Sequence, residues 1–356
     1  MARCRRSIAA PHARKKDRGL QSVESVLSWK QKPTKRREEK WVLSFWARSL
    51  WTSRAIPRTF TFPAGATPAG WSSSPDGVSR NIVEDIANVE LQPTFIGLVD
   101  DTGAGADVVR KLKAHKVNTD YIRVTKDGMG TWLAIFDNGG DVVAAISKRP
   151  DLRPILSILE EQGDEIISRA DSIAFEIDMD KEIVKKVFAL AEKYHKPVYA
   201  VVSNMSIAVE RRDFFRSTHC FVCNQQEAGI LFSEDYDDKT PEEMQRLLAA
   251  RIRSAQIPRM VVTMGAQGAV YATNDGEEGW CPAKKVDVKD TTGAGDAFFA
   301  GVTIGLTYGK TMAEACEIGT RLAASVICTS ENVCPRFLPS EFGIDPSGLE
   351  REQLSL

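Results

Sequence analysis

The chain has 356 residues, 43% of them hydrophobic and 27% charged, and a formal net charge of −1. That is enough apolar material for one large domain with a sizeable core. No apolar run approaches the roughly 20 residues needed to cross a bilayer, which excludes a helical membrane protein. The 7 Cys, an odd number with no secretion signal ahead of them, point to reduced thiols and a soluble, cytoplasmic protein.

The overall charge hides a division. Residues 1–40 carry 13 Lys and Arg against 4 Asp and Glu, and residues 41–75 add three Arg and no acid. The remainder holds 31 basic and 44 acidic residues, a net of −13, and five of the 7 Trp fall within the first 71 residues. The expected organisation is a basic, Trp-rich segment over 1–75, a main folded domain over 76–345 and a tail over 346–356. The first segment reads as a basic arm for nucleic acid or a membrane surface, as a transit peptide, or as sequence translated out of frame. A membrane partner is not expected, and nucleic acid is the weaker expectation. Because Trp has a single codon, reading from the third base of each codon turns Trp46-Ala47 into Gly and Trp51-Thr52 into Asp, whatever the wobble bases. The result is a Gly-x-x-x-x-Asp spacing. With permitted codons the same shift recodes Ser44 to Ser53 as an apolar strand and Ala66 to Ser72 as Asn-Pro-Gly-Arg-Val-Glu, with the frame restored near Asp76-Gly77. As written, no strand ending in that spacing is expected between Trp41 and Pro75, so the first strand reads as missing or garbled.

From Gly77 the pattern becomes regular. Gly77-Val78-Ser79-Arg80-Asn81-Ile82 is a turn running into a helix, with Ile82, Ile86 and Val89 at helical spacing. Gly77 permits close approach of a ligand to the backbone, and Asn81 offers a donor and an acceptor to paired hydroxyls. A strand over Phe95 to Val99 leads through Asp101-Thr102-Gly103-Ala104-Gly105-Ala106-Asp107 into a helix expected from Ala106 to Lys113. Thr131 to Phe136, an Asn138-Gly139-Gly140 turn and Val142 to Ile146 form a hairpin signal. Ser172 to Phe175 and Pro197 to Val202 read as strands flanking a helix over Asp180 to Tyr194. This alternation implies a three-layer α/β/α fold with a mainly parallel sheet, in which ligands gather at the C-terminal strand ends.

The second half supplies the chemistry. Cys220 to Cys223 is a strand whose two Cys point to opposite faces, and no second Cys pair completes a metal site. The 4 His form no spaced cluster. Asn224-Gln225-Gln226-Glu227 caps a helix, and Met260 to Gly265 is a buried strand followed by a turn to Gly268. Asp290-Thr291-Thr292-Gly293-Ala294-Gly295-Asp296 then opens a helix of small and apolar residues. Small residues at a helix start leave backbone N–H groups aimed at a phosphate, and an acid in the first turn can take a proton from an attacking hydroxyl. The combination reads as phosphoryl transfer from a nucleotide to an alcohol. A second helix is expected over Ala313 to Val326, with Thr329 to Pro335 closing a nucleotide pocket.

The stretch ending at Asp296 resembles the signature of the ribokinase, or PfkB carbohydrate kinase, family. The resemblance runs from about Gly77 to Gly343 and implies a ribokinase-like fold with a small β lid over the sugar, built from the hairpin, with Trp132 in the sugar pocket or the lid core. By resemblance Asp296 is the catalytic base, and Gly293, Ala294 and Gly295 form the anion hole. Gly77 and Asn81 would bind the substrate, and the family's first strand would end in the Gly-x-x-x-x-Asp whose Asp binds sugar hydroxyls. Asn224, Glu227, Thr263, Gly265 and Gly268 would contact ATP, with Glu227 holding magnesium through water. Asp290 and Thr292 are candidates for a monovalent-cation site, and a homodimer is a further candidate state. The substrate implied is a sugar or nucleoside. The Gly-Val-x-Arg-Asn-Ile turn and Gly279-Trp280-Cys281-Pro282-Ala283 resemble stretches of pseudouridine kinases, with ribose or a ketose as alternatives. A catalytically impaired nucleotide-binding homologue is the other reading.

Overall fold

The computed structural model describes residues 41–48, 50–57, 69–136 and 142–346. The basic first forty residues, the Asn138-Gly139-Gly140 turn and the end of the tail lie outside them. The first half contains β1 (Trp41–Arg48), β2 (Leu50–Pro57), β3 (Ala69–Asp76), α1 (Val78–Asn88), β4 (Pro93–Val99), α2 (Gly103–Ala114) and β5 (Asn118–Val124). It continues with β6 (Gly130–Phe136), β7 (Val142–Lys148), α3 (Arg153–Arg169), β8 (Ala170–Glu176), α4 (Lys181–Lys193) and β9 (Val198–Val201). The second half adds the short α5 (Met205–Ala208) and α6 (Arg212–Phe215), then β10 (Cys220–Asn224), α7 (Gln225–Phe232) and α8 (Pro241–Ala255). It ends with β11 (Arg259–Thr263), β12 (Ala269–Thr273), β13 (Glu278–Cys281), α9 (Ala294–Thr307) and α10 (Met312–Ile327).

Nine strands form the main sheet in the order β13-β12-β11-β10-β9-β8-β1-β4-β5. Pairing is parallel from β11 through β5 and antiparallel at β12 and β13. Alternation along each central strand divides the core in two. Ile173 and Phe175 of β8 and Met260 and Val262 of β11 join one cluster with α3, α4 and α8. Ala174 and Val261, on the opposite faces of the same strands, join the other with α1, α2, α9 and α10. This is the three-layer α/β/α arrangement expected from the strand-helix alternation. Cys223 lies in the first cluster and Cys220 in the second, so the two thiols face opposite ways.

The first strand is a correction to the sequence reading. The backbone of Trp41–Arg48 forms a strand at the centre of the sheet, between β4 and β8. Its run Trp41-Val42-Leu43-Ser44-Phe45-Trp46 has the aromatic and β-branched composition that a parallel strand covered on both faces accepts. What is absent from it is the Gly-x-x-x-x-Asp ending, not the strand. A second, four-stranded sheet in the order β3-β2-β6-β7 contains the hairpin expected as the lid, and the segment before Gly77 supplies two of its strands as well. The helix expected from Ala106 begins three residues earlier because Thr102 caps it.

Close helix contact joins α9 to α10 on one face of the sheet. A methyl group on Gly301 of α9 would meet Gly319 Cα of α10 at 2.5 Å, and one on Gly319 would meet the Phe298 carbonyl oxygen at 2.6 Å. These glycines let two backbones approach where larger residues would force them apart.

Candidate active site

The parallel strands end on one edge of the sheet, where Glu176, Asn224 and Thr263 are the last residues of β8, β10 and β11. Gly293 caps α9 in the left-handed region, at φ 82, without a side-chain hydrogen bond, and Asp296 is the acid of the first turn. A Cβ on Gly293 would lie 2.1 Å from the Asn332 carbonyl oxygen, so glycine is required there by both conformation and space. Around Gly295 a Cβ would meet nothing within 4 Å, leaving that turn open. The Ala294 N–H donates to Thr291 O at 3.2 Å and the Ala297 N–H to Gly293 O at 2.9 Å. Just before the helix, Asp290 Oδ1 accepts the Thr292 N–H at 2.8 Å.

The turn at the start of α1 meets this helix directly. Gly77 has φ 132, and the Asn81 N–H donates to its carbonyl at 2.9 Å. Asn81 Nδ2 donates to Asp296 Oδ2 at 2.7 Å, so the expected substrate and base residues are brought together from positions 215 apart in the chain. Arg80 Nη2 donates to Asn81 Oδ1 at 2.6 Å and to Asn332 Oδ1 at 3.0 Å, while its Nη1 pairs with Glu84 Oε1 at 2.8 Å. Ser79 Oγ donates to Glu176 Oε1 at 2.6 Å, tying the turn to the end of β8.

On the other side of the same edge, Asn224 and Glu227 form a capping box. The Asn224 N–H donates to Glu227 Oε2 at 2.8 Å, and the Glu227 N–H donates to Asn224 Oδ1 at 2.8 Å. Burial pushes the Glu227 carboxyl above its ordinary range; the Asn224 amide opposes this, and the nearby Asp178 charge adds to it. Thr263 pairs with Asn224 across the sheet, and the turn that follows it carries Gly265 at φ 55 and Gly268 at φ 96. A Cβ on Gly268 would sit 2.1 Å from the Cys281 carbonyl oxygen, so this turn is packed against the end of β13. Trp280 Nε1 donates to Gln267 O at 2.7 Å. The side chain of Trp132 is outside the described residues. Among the described residues there is no cluster of three or more His, Cys, Asp or Glu able to encase a metal. A few carboxylate and amide oxygens at strand ends suit magnesium, which keeps most of its waters.

Several residues of the site escaped the sequence reading. Arg80 sits beside Asn81 in the turn, but its partner Asn332 is 252 residues away. Residues 329–335, expected over a nucleotide pocket, cross behind Gly293 and attach to α1. There the Cys334 N–H donates to Asp85 Oδ1 at 2.6 Å, and Asn88 Nδ2 donates to Cys334 O at 2.6 Å. Asp85 is fully buried, and burial pushes its carboxyl up to about 8 against the opposing pull of the Cys334 amide. Arg149, just beyond the lid strand β7, pairs with the buried Asp178 at 3.4 Å and so joins the lid to the core.

A glycine-capped helix with an acid in its first turn and a polar turn aimed at that acid meet at the C-terminal edge of the sheet, an arrangement that suits phosphoryl transfer. The sequence matches the pfkB family carbohydrate kinase profile over residues 55–335, and the chain belongs to that family. It is 33% identical to a guanosine-inosine kinase of Exiguobacterium acetylicum over 72% of this chain and 84% of the relative. It is 26% identical to the pseudouridine kinase of Escherichia coli strain K12 over 70% of this chain and 79% of the relative. The fold is similar to that of Arabidopsis thaliana ribokinase complexed with ribose and ATP. The TM-score is 0.71 and the identity 18%, over 83% of this chain and 96% of that one. The chain is thus a kinase of the carbohydrate and nucleoside type, and no helix among its described residues is long and apolar enough to cross a membrane.

Proposed function

We propose that this protein transfers the γ-phosphoryl group of ATP to the primary hydroxyl of a ribonucleoside, with guanosine and inosine ahead of pseudouridine, ribose and ketoses. The carrying observation is the 2.7 Å hydrogen bond from Asn81, in the substrate turn, to Asp296, in the first turn of α9. The 33% identity to a guanosine-inosine kinase favours a purine nucleoside over the pseudouridine suggested by the motifs. Asp296 takes the proton of the attacking hydroxyl, and the Gly293 to Gly295 amides with the helix dipole stabilise charge on the transferred group. Gly77 and Asn81 hold the sugar. Asn224, Thr263, Gly265 and Gly268 hold the nucleotide phosphates and ribose. Glu227 would hold magnesium through water, and the metal would supply charge neutralisation between the phosphates. Asp290 and Thr292 are the proposed monovalent-cation residues. The lid excludes water, which would otherwise compete as the nucleophile.

The front of the substrate site belongs to the same proposal. β1 ends at Arg48 and β2 begins at Leu50, so the crossing from core sheet to lid falls between positions 46 and 51. The two codon pairs that recode without ambiguity to Gly and Asp flank that crossing, which supports a reading frame error over residues 44–72. The test is ADP release with guanosine, inosine, pseudouridine, uridine, ribose and fructose, for the chain as it stands and for one recoded over residues 44–72. Turnover of a purine nucleoside, faster in the recoded chain, is the expected result. Equal turnover by both chains removes the frame proposal, and turnover of neither removes the kinase assignment to these substrates.

A further inference from the structure

We infer that Arg80 is a positioning residue, which fixes the amide of Asn81 and through it the carboxylate of Asp296. The inference rests on Asp296 being the base of the proposed reaction. A primary amide can present either end to a neighbour, and its orientation follows from the groups it meets. Arg80 has donors only, so the 2.6 Å contact from its Nη2 requires Asn81 Oδ1 as the acceptor. Nδ2 is then turned to Asp296 Oδ2 at 2.7 Å, the polarity an ionised carboxylate requires. The order of donation, Arg80 to Asn81 to Asp296, admits no reversal.

The guanidinium is itself held. Glu84 grips Nη1 at 2.8 Å from one turn further along α1, and the two side chains are 2% and 3% exposed. Asn332 Oδ1 accepts from Nη2 at 3.0 Å, in the segment whose carbonyl backs Gly293. One planar group therefore joins the substrate turn, the base and the loop behind the helix start. A lysine ammonium, a single point donor on a flexible stem, cannot keep these three geometries together. Stability alone is a poor account of the pair, because a buried ion pair gains little over apolar side chains of similar volume. The Arg80 Nε, buried without a hydrogen-bond partner among the described residues, adds to the desolvation that the pair must offset.

The test uses the full chain, as it stands or recoded over residues 44–72, whichever turns over. The variants are Arg80→Met with Glu84→Met, which leaves no orphan charge, Arg80→Lys, Asn81→Ala, and Asn81→Ala added to the paired change. The paired change is expected to lower kcat by about 10- to 100-fold, the scale of a misplaced catalytic group, with the ATP KM within about threefold. Once Asn81 is alanine, the same change should lower kcat by no more than about threefold, because there is no amide left to orient. Should the paired variant fail to fold, Arg80→Lys, which keeps the charge, should still lose kcat at an unchanged Tm. A paired or Lys variant that folds and keeps kcat within threefold overturns the inference, as do losses that multiply with Asn81→Ala. If neither chain transfers phosphate to any nucleoside, the kinase proposal fails separately. The coupling is then read as non-additive shifts in urea midpoint for positions 80 and 81, and additive shifts overturn it.

Discussion

Residues 101–107 and 290–296 are built from nearly the same amino acids, and each opens a helix at the C-terminal edge of the sheet, yet the two helix starts do different things. At α2, Thr102 accepts the Ala104 N–H at 3.2 Å and is itself held by Asp100 Oδ1, at 3.1 Å from its N–H and 2.6 Å from its hydroxyl. The start is closed by its own side chains, and Asp107 lies beyond the first turn in an exposed pair with Arg110. At α9 the cap is Gly293, with no side-chain bond, and Asp296 falls in the first turn against Asn81. Counted from the cap, the acid moves from the fifth helical residue to the third and a hydroxyl cap gives way to glycine, so the second helix start has no side-chain cap and holds its acid against Asn81. The difference lies in order, since composition hardly changes.

The largest effect that would break this contrast is Asp296→Asn. It is expected to lower kcat by about 10²- to 10⁴-fold, the range for loss of a general base, while steady-state assays of Asp107→Asn stay within about twofold of the parent. Gly293→Ala comes next. The added methyl forces the left-handed turn and the Asn332 carbonyl apart, and kcat should fall by about 100-fold from displacement of the helix start.

A smaller effect separates the segment behind α9 from its surroundings. The Asp85 carboxyl, pushed from an ordinary 3.8 up to about 8, keeps its proton in the folded state over a window where the unfolded chain has lost it. Stability should therefore fall as pH rises from about 4 to about 8, and Asp85→Asn should flatten that fall in a series of thermal melts. The smallest effect sharpens the other side of the comparison. Thr102→Ala should lower unfolding free energy in urea by about 0.5–2 kcal/mol, with kcat unchanged.

The parts of this molecule that a reader of the sequence can see are those written locally. Gly293 to Asp296, the Asn224 to Glu227 cap and the alternation of strands and helices each occupy a short window with a characteristic spacing. The central strand is less legible because it lacks the Gly-x-x-x-x-Asp ending that the resemblance implies, although its aromatic and β-branched run suits a central parallel strand. Arg80, Asn332 and the Asp85–Cys334 contact are not legible, because each depends on a partner more than two hundred residues away. Arg80 in particular resembles an exposed helix residue in sequence and is 1% exposed in the structure. The lid was half visible: the hairpin of β6 and β7 has its own turn signal, whereas β2 joins it in parallel from a segment whose composition looks foreign.

The most direct measurement separates chemistry from binding at α9. ATP affinity by titration calorimetry and nucleoside monophosphate formation from labelled ATP would be measured on the same preparations of the parent chain and Asp296→Asn. The phosphoryl-transfer assignment predicts an ATP Kd within about threefold of the parent and a rate of product formation lower by at least about 10². An Asp296→Asn protein that forms product within tenfold of the parent rate would contradict it.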